Sequence, residues 1–313
     1  VPPAVFFFFL VYILPLVIYH TGPDFFSLPE KKDLFSDYRE NRQVVLWSGW
    51  RPVLRENGGI RENYQSLGKL LPARRLLPRI PSHREEPVPY IEPAGRPRVA
   101  LIIDDAGFVR VPVEAFFSVQ ARLTMAVLPW GEYSQRQARQ AKAAGFEVIL
   151  HLPLEPLDPE ICPGPGAVYG DASPEEICRQ VRANINNVPG IVGVNSHMGS
   201  KGTQDPVLMR LVMEELKANG LFFVDSLTIA SSLAGQVARE VGVPVTARDF
   251  FLDHYGVEDI PRQMEKLLQR AVERGSAVGI VHARPGAAEA VAGFLPRFTE
   301  AGVEIVPVSE LVE

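Results

Sequence analysis

Five apolar runs of strand length end on an acid or a histidine: Ile102-Ile103-Asp104-Asp105, Val148-Ile149-Leu150-His151, Val192-Gly193-Val194-Asn195-Ser196-His197, Phe222-Phe223-Val224-Asp225 and Val278-Gly279-Ile280-Val281-His282. The carboxyl ends of parallel strands open on one face of an α/β fold, so polar groups at those ends converge however far apart they lie in sequence. Two adjacent carboxylates at the end of a buried strand repel and desolvate one another, and a cation relieves both effects. Strand alternation allows another outcome, in which one of Asp104 and Asp105 points outward and caps a helix. Histidine with carboxylate donors suits zinc or another divalent metal, which makes His151, Glu155 four residues later, and His197 the candidate ligands. His282 could protonate a leaving group or brace a neighbour.

Further polar and aromatic residues surround these strand ends. Asn195 offers a neutral ligand or hydrogen-bond donor, and Asp253 could orient a histidine or bind a sugar hydroxyl. Trp130 and Phe108 lie just past strand ends, where a ring stacks on a sugar or packs as a lid. Lys201 and Arg284 are the rim cations, too few to favour a phosphoesterase. The chain carries a formal charge of -5, and this excludes a general nucleic-acid binder, whose footprint is basic. Asp104-Asp105-Ala106-Gly107-Phe108 offers one glycine where a dinucleotide loop needs three. Cys162 and Cys178 are too few for a disulfide framework and lack metal-site spacing.

The elements that must position these groups begin after Arg98. Gly145, Gly220, Gly275 and Gly302 each follow a helical pattern and precede an apolar run, which predicts left-handed helix ends entering buried strands. Ser173-Pro174-Glu175-Glu176 is a capping box, and Asp205-Pro206 starts a segment whose Leu208, Leu211, Val212 and Leu216 share a face. Strands are expected at about 98–104, 122–128, 146–151, 191–196, 221–225, 245–252, 277–281 and 303–308. Seven or eight mostly parallel strands alternating with helices suggest a closed or nearly closed barrel over residues 98–313; a doubly wound open sheet is the competing topology.

Residues 1–19 are uncharged and apolar, and as a helix would span about 28 Å, enough for a transmembrane anchor kinked at Pro15; a cleaved signal segment is the alternative. Residues 20–97 interleave Pro, Arg and Glu without a period and read as a linker. Lys31, Lys32, Arg39 and Arg42 follow the apolar segment, a bias that taken alone would keep the remainder cytoplasmic.

The order strand-Asp-Asp-x-Gly, His-x-x-x-Glu-Pro, Asn-x-His-Met-Gly-Ser, then strand-His resembles the divergent polysaccharide deacetylase family over residues 98–313. The resemblance implies a distorted (β/α) barrel of seven to eight mostly parallel strands, and a metal-dependent hydrolase removing acetyl groups from an N-acetylated polysaccharide or a peptidoglycan-like glycan. It also implies Asp104 as catalytic base, Asp105 and His151 as metal ligands and His282 as general acid. Glu155 stands where ordinary deacetylases have a second metal histidine, and His197 is expected to replace it. Asn195, Trp130, Asp253 and Arg284 are expected to contact substrate. A wall polymer as substrate implies a membrane-anchored or secreted protein with an extracytoplasmic domain, against the charge bias. A catalytically silent, glycan-binding scaffold on the same barrel is the other function these residues allow.

Overall fold

The computed structural model describes residues 95–313. The expected anchor at 1–19 and nearly all of the linker at 20–97 lie outside them. Among the described residues no helix is long and apolar enough to cross a membrane.

Nine strands form one sheet in which every ladder is parallel. In chain order they are β1 (Arg98–Ala106), β2 (Thr124–Val127), β3 (Glu147–Leu154), β4 (Gly193–Met198), β5 (Phe222–Asp225), β6 (Val245–Ala247), β7 (Phe250–Phe251), β8 (Ser276–His282) and β9 (Glu304–Ile305). The helices between them are α1 (Val111–Phe116), α2 (Ser134–Ala143), α3 (Pro174–Asn187), α4 (Pro206–Ala218), α5 (Ala234–Val241), α6 (Ile260–Arg274) and α7 (Ala287–Glu300). Spatial order is β6-β5-β4-β3-β2-β1-β8-β7, with β9 beside the start of β1. The two edge strands are consecutive in the chain, so the sheet curls into a barrel whose seam is crossed by Arg248 and Asp249 rather than by a ladder. The single strand expected at 245–252 is therefore broken. At the break Asp249 turns its carboxylate onto the Val278 N–H at 2.9 Å, filling a ladder position with a side chain.

Period-two alternation splits the apolar residues into two cores. Val99, Leu101 and Ile103 of β1 face the helices, together with Leu150, Leu152 and Val281 from neighbouring strands. Ala100, Ile102, Ala126, Ile149, Phe222, Val224, Val278 and Ile280 face the barrel interior, and Val306, Val308 and Leu311 plug its amino end. The inward series then continues into polar residues at the carboxyl end: Ala100, Ile102, Asp104 on β1; Ile149, His151 on β3; Val278, Ile280, His282 on β8. An apolar floor thus lies under a polar mouth.

The local signals act as their chemistry dictates. Ser173 accepts from Glu176 N while the Glu176 carboxylate accepts from Ser173 N, and Asp205 accepts from Val207 and Leu208 N at the start of α4. Gly145, Gly220, Gly275 and Gly302 have φ of 84°, 67°, 85° and 71°. Strand β3 runs on through Pro153 to Leu154, further than expected. Both cysteines are free.

Candidate active site

Adjacent strand residues should face opposite ways, yet Asp104 and Asp105 both serve the mouth. Pairing of β1 with β2 shifts register between Ile103 and Ala106, so β1 carries one extra residue there, and Asp105 has φ 67°. A bulge of this kind re-aims one side chain. Gly107 holds the turn that follows: its N–H donates to Gln137 Oε1 at 2.7 Å and its carbonyl accepts from Tyr133 N at 2.9 Å.

Asp105, His151 and His197 meet above this turn. His151 Nε2 and His197 Nδ1 are 3.0 Å apart and lie 3.3 and 3.2 Å from Asp105 Oδ1. Neither imidazole is aligned to donate to that oxygen, which is buried without a hydrogen-bond partner. Tetrahedral bonds of roughly 2.0–2.1 Å place zinc ligands about 3.4 Å apart, close to the edges of this triangle. An orphaned anionic oxygen beside two ring nitrogens fits a divalent cation, and three protein donors leave a coordination position free for a reactant. Burial works to raise the Asp105 carboxyl, but the two imidazoles outweigh it and hold it well below the usual range.

Asn195 fixes the chemistry of His151. It is fully buried, its Nδ2 donates to Asp104 Oδ1 at 2.8 Å, and its Oδ1 lies 2.8 Å from His151 Nδ1. A carboxylate demands the amide N–H, so the amide oxygen is left for the imidazole. His151 therefore carries its proton on Nδ1 and turns the Nε2 lone pair to the triangle. Burial raises Asp104 above the usual carboxylate range, despite the opposing charges of His151 and His282. A raised carboxyl suits a proton acceptor working near neutrality.

His282 is the register partner of Asp104 across the β1–β8 ladder. Its Nδ1 lies 2.9 Å from Asp253 Oδ1, and Arg284 Nε lies 3.3 Å from Asp253 Oδ2. Burial opposes the imidazolium, but the Asp253 bond with the charges of Asp105 and Asp104 raises His282 to about 9. Nδ1 is occupied by Asp253, which leaves Nε2 as the donor toward the mouth.

The structure brings Asp104, Asp105, His151, His197 and His282 together. Glu155 does not join them: its carboxylate takes Lys201 Nζ at 2.6 Å and Gly170 N at 3.1 Å, because the chain after β3 turns it to the loop 168–170 and to Lys201. Asn195 and Asp253, expected to contact substrate, are spent inside the protein on His151 and His282. Arg284 is half exposed but shares Asp253, and Trp130 is tied through its indole N–H to Asn184 of α3 at 2.7 Å. One feature of the rim had no sequence signal. Among the described residues, the non-glycine residues with positive φ, namely Asp105, Trp130, Met198 and Leu227, all lie within three residues of the carboxyl end of β1, β2, β4 or β5. Backbone strain of this kind collects where side chains must be aimed.

Relatives share this domain. A sequence profile described as divergent polysaccharide deacetylase matches residues 101–312. An uncharacterized protein of Haemophilus influenzae is 33% identical over 189 residues, covering 60% of this chain and 67% of that protein. The Escherichia coli protein YibQ, also uncharacterized, is 35% identical over 189 residues, 60% of this chain and 59% of that one. The chain thus spans about three fifths to two thirds of these relatives' lengths. The crystal structure of an uncharacterized protein from Agrobacterium tumefaciens C58 superposes with a TM-score of 0.67 at 25% identity, covering 71% of this chain and 93% of that one. With the profile spanning most of the chain and the barrel and its mouth in agreement, the protein belongs to the divergent polysaccharide deacetylase family.

Proposed function

We propose that the protein is a metal-dependent amide hydrolase that removes acetyl groups from an N-acetylated polysaccharide of the cell envelope. The observation that carries this reading is the open triangle of Asp105, His151 and His197 with a proton acceptor, Asp104, and a proton donor, His282, on adjoining strands. Asp105, His151 and His197 would hold a divalent ion, and the chemistry it would supply is Lewis acidity toward the amide carbonyl and the water. Asp104 takes a proton from the attacking water. Asn195 holds that carboxylate in place, and through the same amide keeps the His151 lone pair directed inward. His282, protonated and backed by Asp253, gives its proton from Nε2 to the departing sugar nitrogen. Of the bonds a polysaccharide offers, an amide needs both transfers most, since its nitrogen leaves only as an amine.

The substrate class favours an extracytoplasmic domain carried by the apolar segment at residues 1–19, and full-length protein is then expected to remain with membranes through carbonate washing. The decisive experiment measures zinc content and acetate release from N-acetylglucosamine oligomers. Near-stoichiometric metal and release of acetate are expected, with both lost in His151→Ala. A protein that binds the oligomers but releases no acetate, with or without added metal, is a glycan-binding scaffold instead.

A further inference from the structure

Arg248 stands where the barrel seam meets the mouth. Its Nε donates to the Ser226 carbonyl at 2.6 Å and its Nη2 to the Leu227 carbonyl at 2.9 Å, using two of a guanidinium's five N–H donors. Leu227 presents that carbonyl from a left-handed backbone at φ 46°, pinned by Asp225 Oδ1 accepting its N–H at 2.9 Å. The guanidinium carbon lies 3.8 Å from the centre of the Phe251 ring, and that ring stacks on His282 with centroids 5.6 Å apart. Among the described residues no carboxylate forms an ion pair with Arg248. Asp249 next to it is spent on Arg270 at 3.0 Å and on Val278 N. Asp225, Asp249 and Asp104 lie near enough to favour its charge without touching it, and a half-buried guanidinium positioned by carbonyls, with no carboxylate in direct contact, is arranged to meet an anion from outside.

The space beside it has matching chemistry. A cavity of about 280 Å³ is lined by Arg248 and Lys266, by the rings of Phe250, Phe251, His254 and Tyr255, and by Gln263, with Asp249 the sole acid on its wall. Two cations beside several rings suit a ligand with an acidic edge and an apolar C–H face, which describes an acidic sugar; the Gln263 amide is already spent on Asp259, to which its Nε2 donates at 2.7 Å. Phe251 belongs both to this wall and to the stack on His282, so the cavity adjoins the reaction centre through a single ring. The chain as a whole is acidic, at -5, so attraction for an anion must come from this local pair.

We propose that the cavity is a subsite for a carboxylate-bearing sugar unit, adjacent to the unit whose acetamide is cleaved, so that the enzyme prefers an anionic, N-acetylated glycan. This rests on the hydrolase reading for its substrate but is tested by binding. The probe is a hexasaccharide alternating glucuronic acid with N-acetylglucosamine, compared with its carboxyl-reduced form, which differs only in charge and one oxygen per acidic unit. Wild-type protein is expected to bind the acidic form at least about ten-fold more tightly, as a charge-assisted hydrogen bond provides. Arg248→Gln should bring the ratio near one, and Lys266→Gln, an exposed change that leaves the fold untouched, should lower it by a smaller factor. Equal affinity of wild type for the two forms, or a ratio preserved in both variants, overturns the subsite. Acetate release is scored separately on a neutral N-acetylglucosamine hexamer. Release without any preference for acid discards the subsite and keeps hydrolysis, whereas preference for acid without release from either glycan supports the subsite and removes the hydrolase reading.

Discussion

Burial pushes the Asp104 carboxyl up while two imidazoles hold Asp105 down, so neighbouring side chains of one chemical type differ in which can carry a proton. Asp104→Asn keeps the shape and removes the acceptor. Acetate release is expected to fall by about 10²–10⁴-fold while metal content and the thermal transition stay as in wild type. Asn195→Ala acts on the other half of the site. It frees His151 to move its proton to Nε2, and metal affinity is expected to fall about 10–100-fold in a chelator competition. For His282 the pH dependence follows from its direction of shift. The group is raised from 6.5 to about 9, so the donor form dominates below that value and is lost above it. The rate is expected to decline as pH passes about 9, and Asp253→Asn should move the decline toward 6.5. The His282–Asp253 pair likewise adds stability that is complete below 6.5 and disappears as pH rises through about 9.

At the scale of elements, the turn after β1 decides whether two aspartates can share one mouth. A Cβ on Gly107 would stand 2.7 Å from Ser134 Oγ and 2.8 Å from the Leu128 carbonyl, on a residue with φ 118°. Gly107→Ala is expected to cost about 1–3 kcal/mol in urea unfolding and to weaken metal binding, because the same turn aims Asp105. The strands carrying Asp104, His151 and His282 are legible because each is an unbroken apolar run that stops on a polar residue, the pattern of a strand covered on both faces. The bulge is not, since nothing about an aspartate announces φ 67°. For Glu155, sequence distance from His151 sets no direction in the stretch after β3, where Lys201 and Gly170 engage its carboxylate. Asn195 and Asp253 were recognised as site residues, but a strand-end position cannot tell a partner inside the protein from a sugar. Arg248 was passed over because an unbroken strand at 245–252 would have made it one more alternating side chain.

For the whole molecule, β1 is the hub: it pairs with β2, β8 and β9, and its partners in β8 lie 178 residues downstream. A chain ending at Gly275 lacks that partner and leaves the edge of β1 unpaired, with Ala100 and Ile102 uncovered. Such a truncation is expected to aggregate or to bind a hydrophobic dye, where the intact domain remains monodisperse in sizing chromatography. The same ladder joins Asp104 to His282. During synthesis, the first of these residues leaves the ribosome long before the second, and the intervening segments can pair among themselves while the mouth still lacks one wall. Proton acceptor and proton donor therefore face each other only once β8 has been made and docked, and a nascent or prematurely terminated chain that has already gathered its three metal donors still cannot complete the reaction.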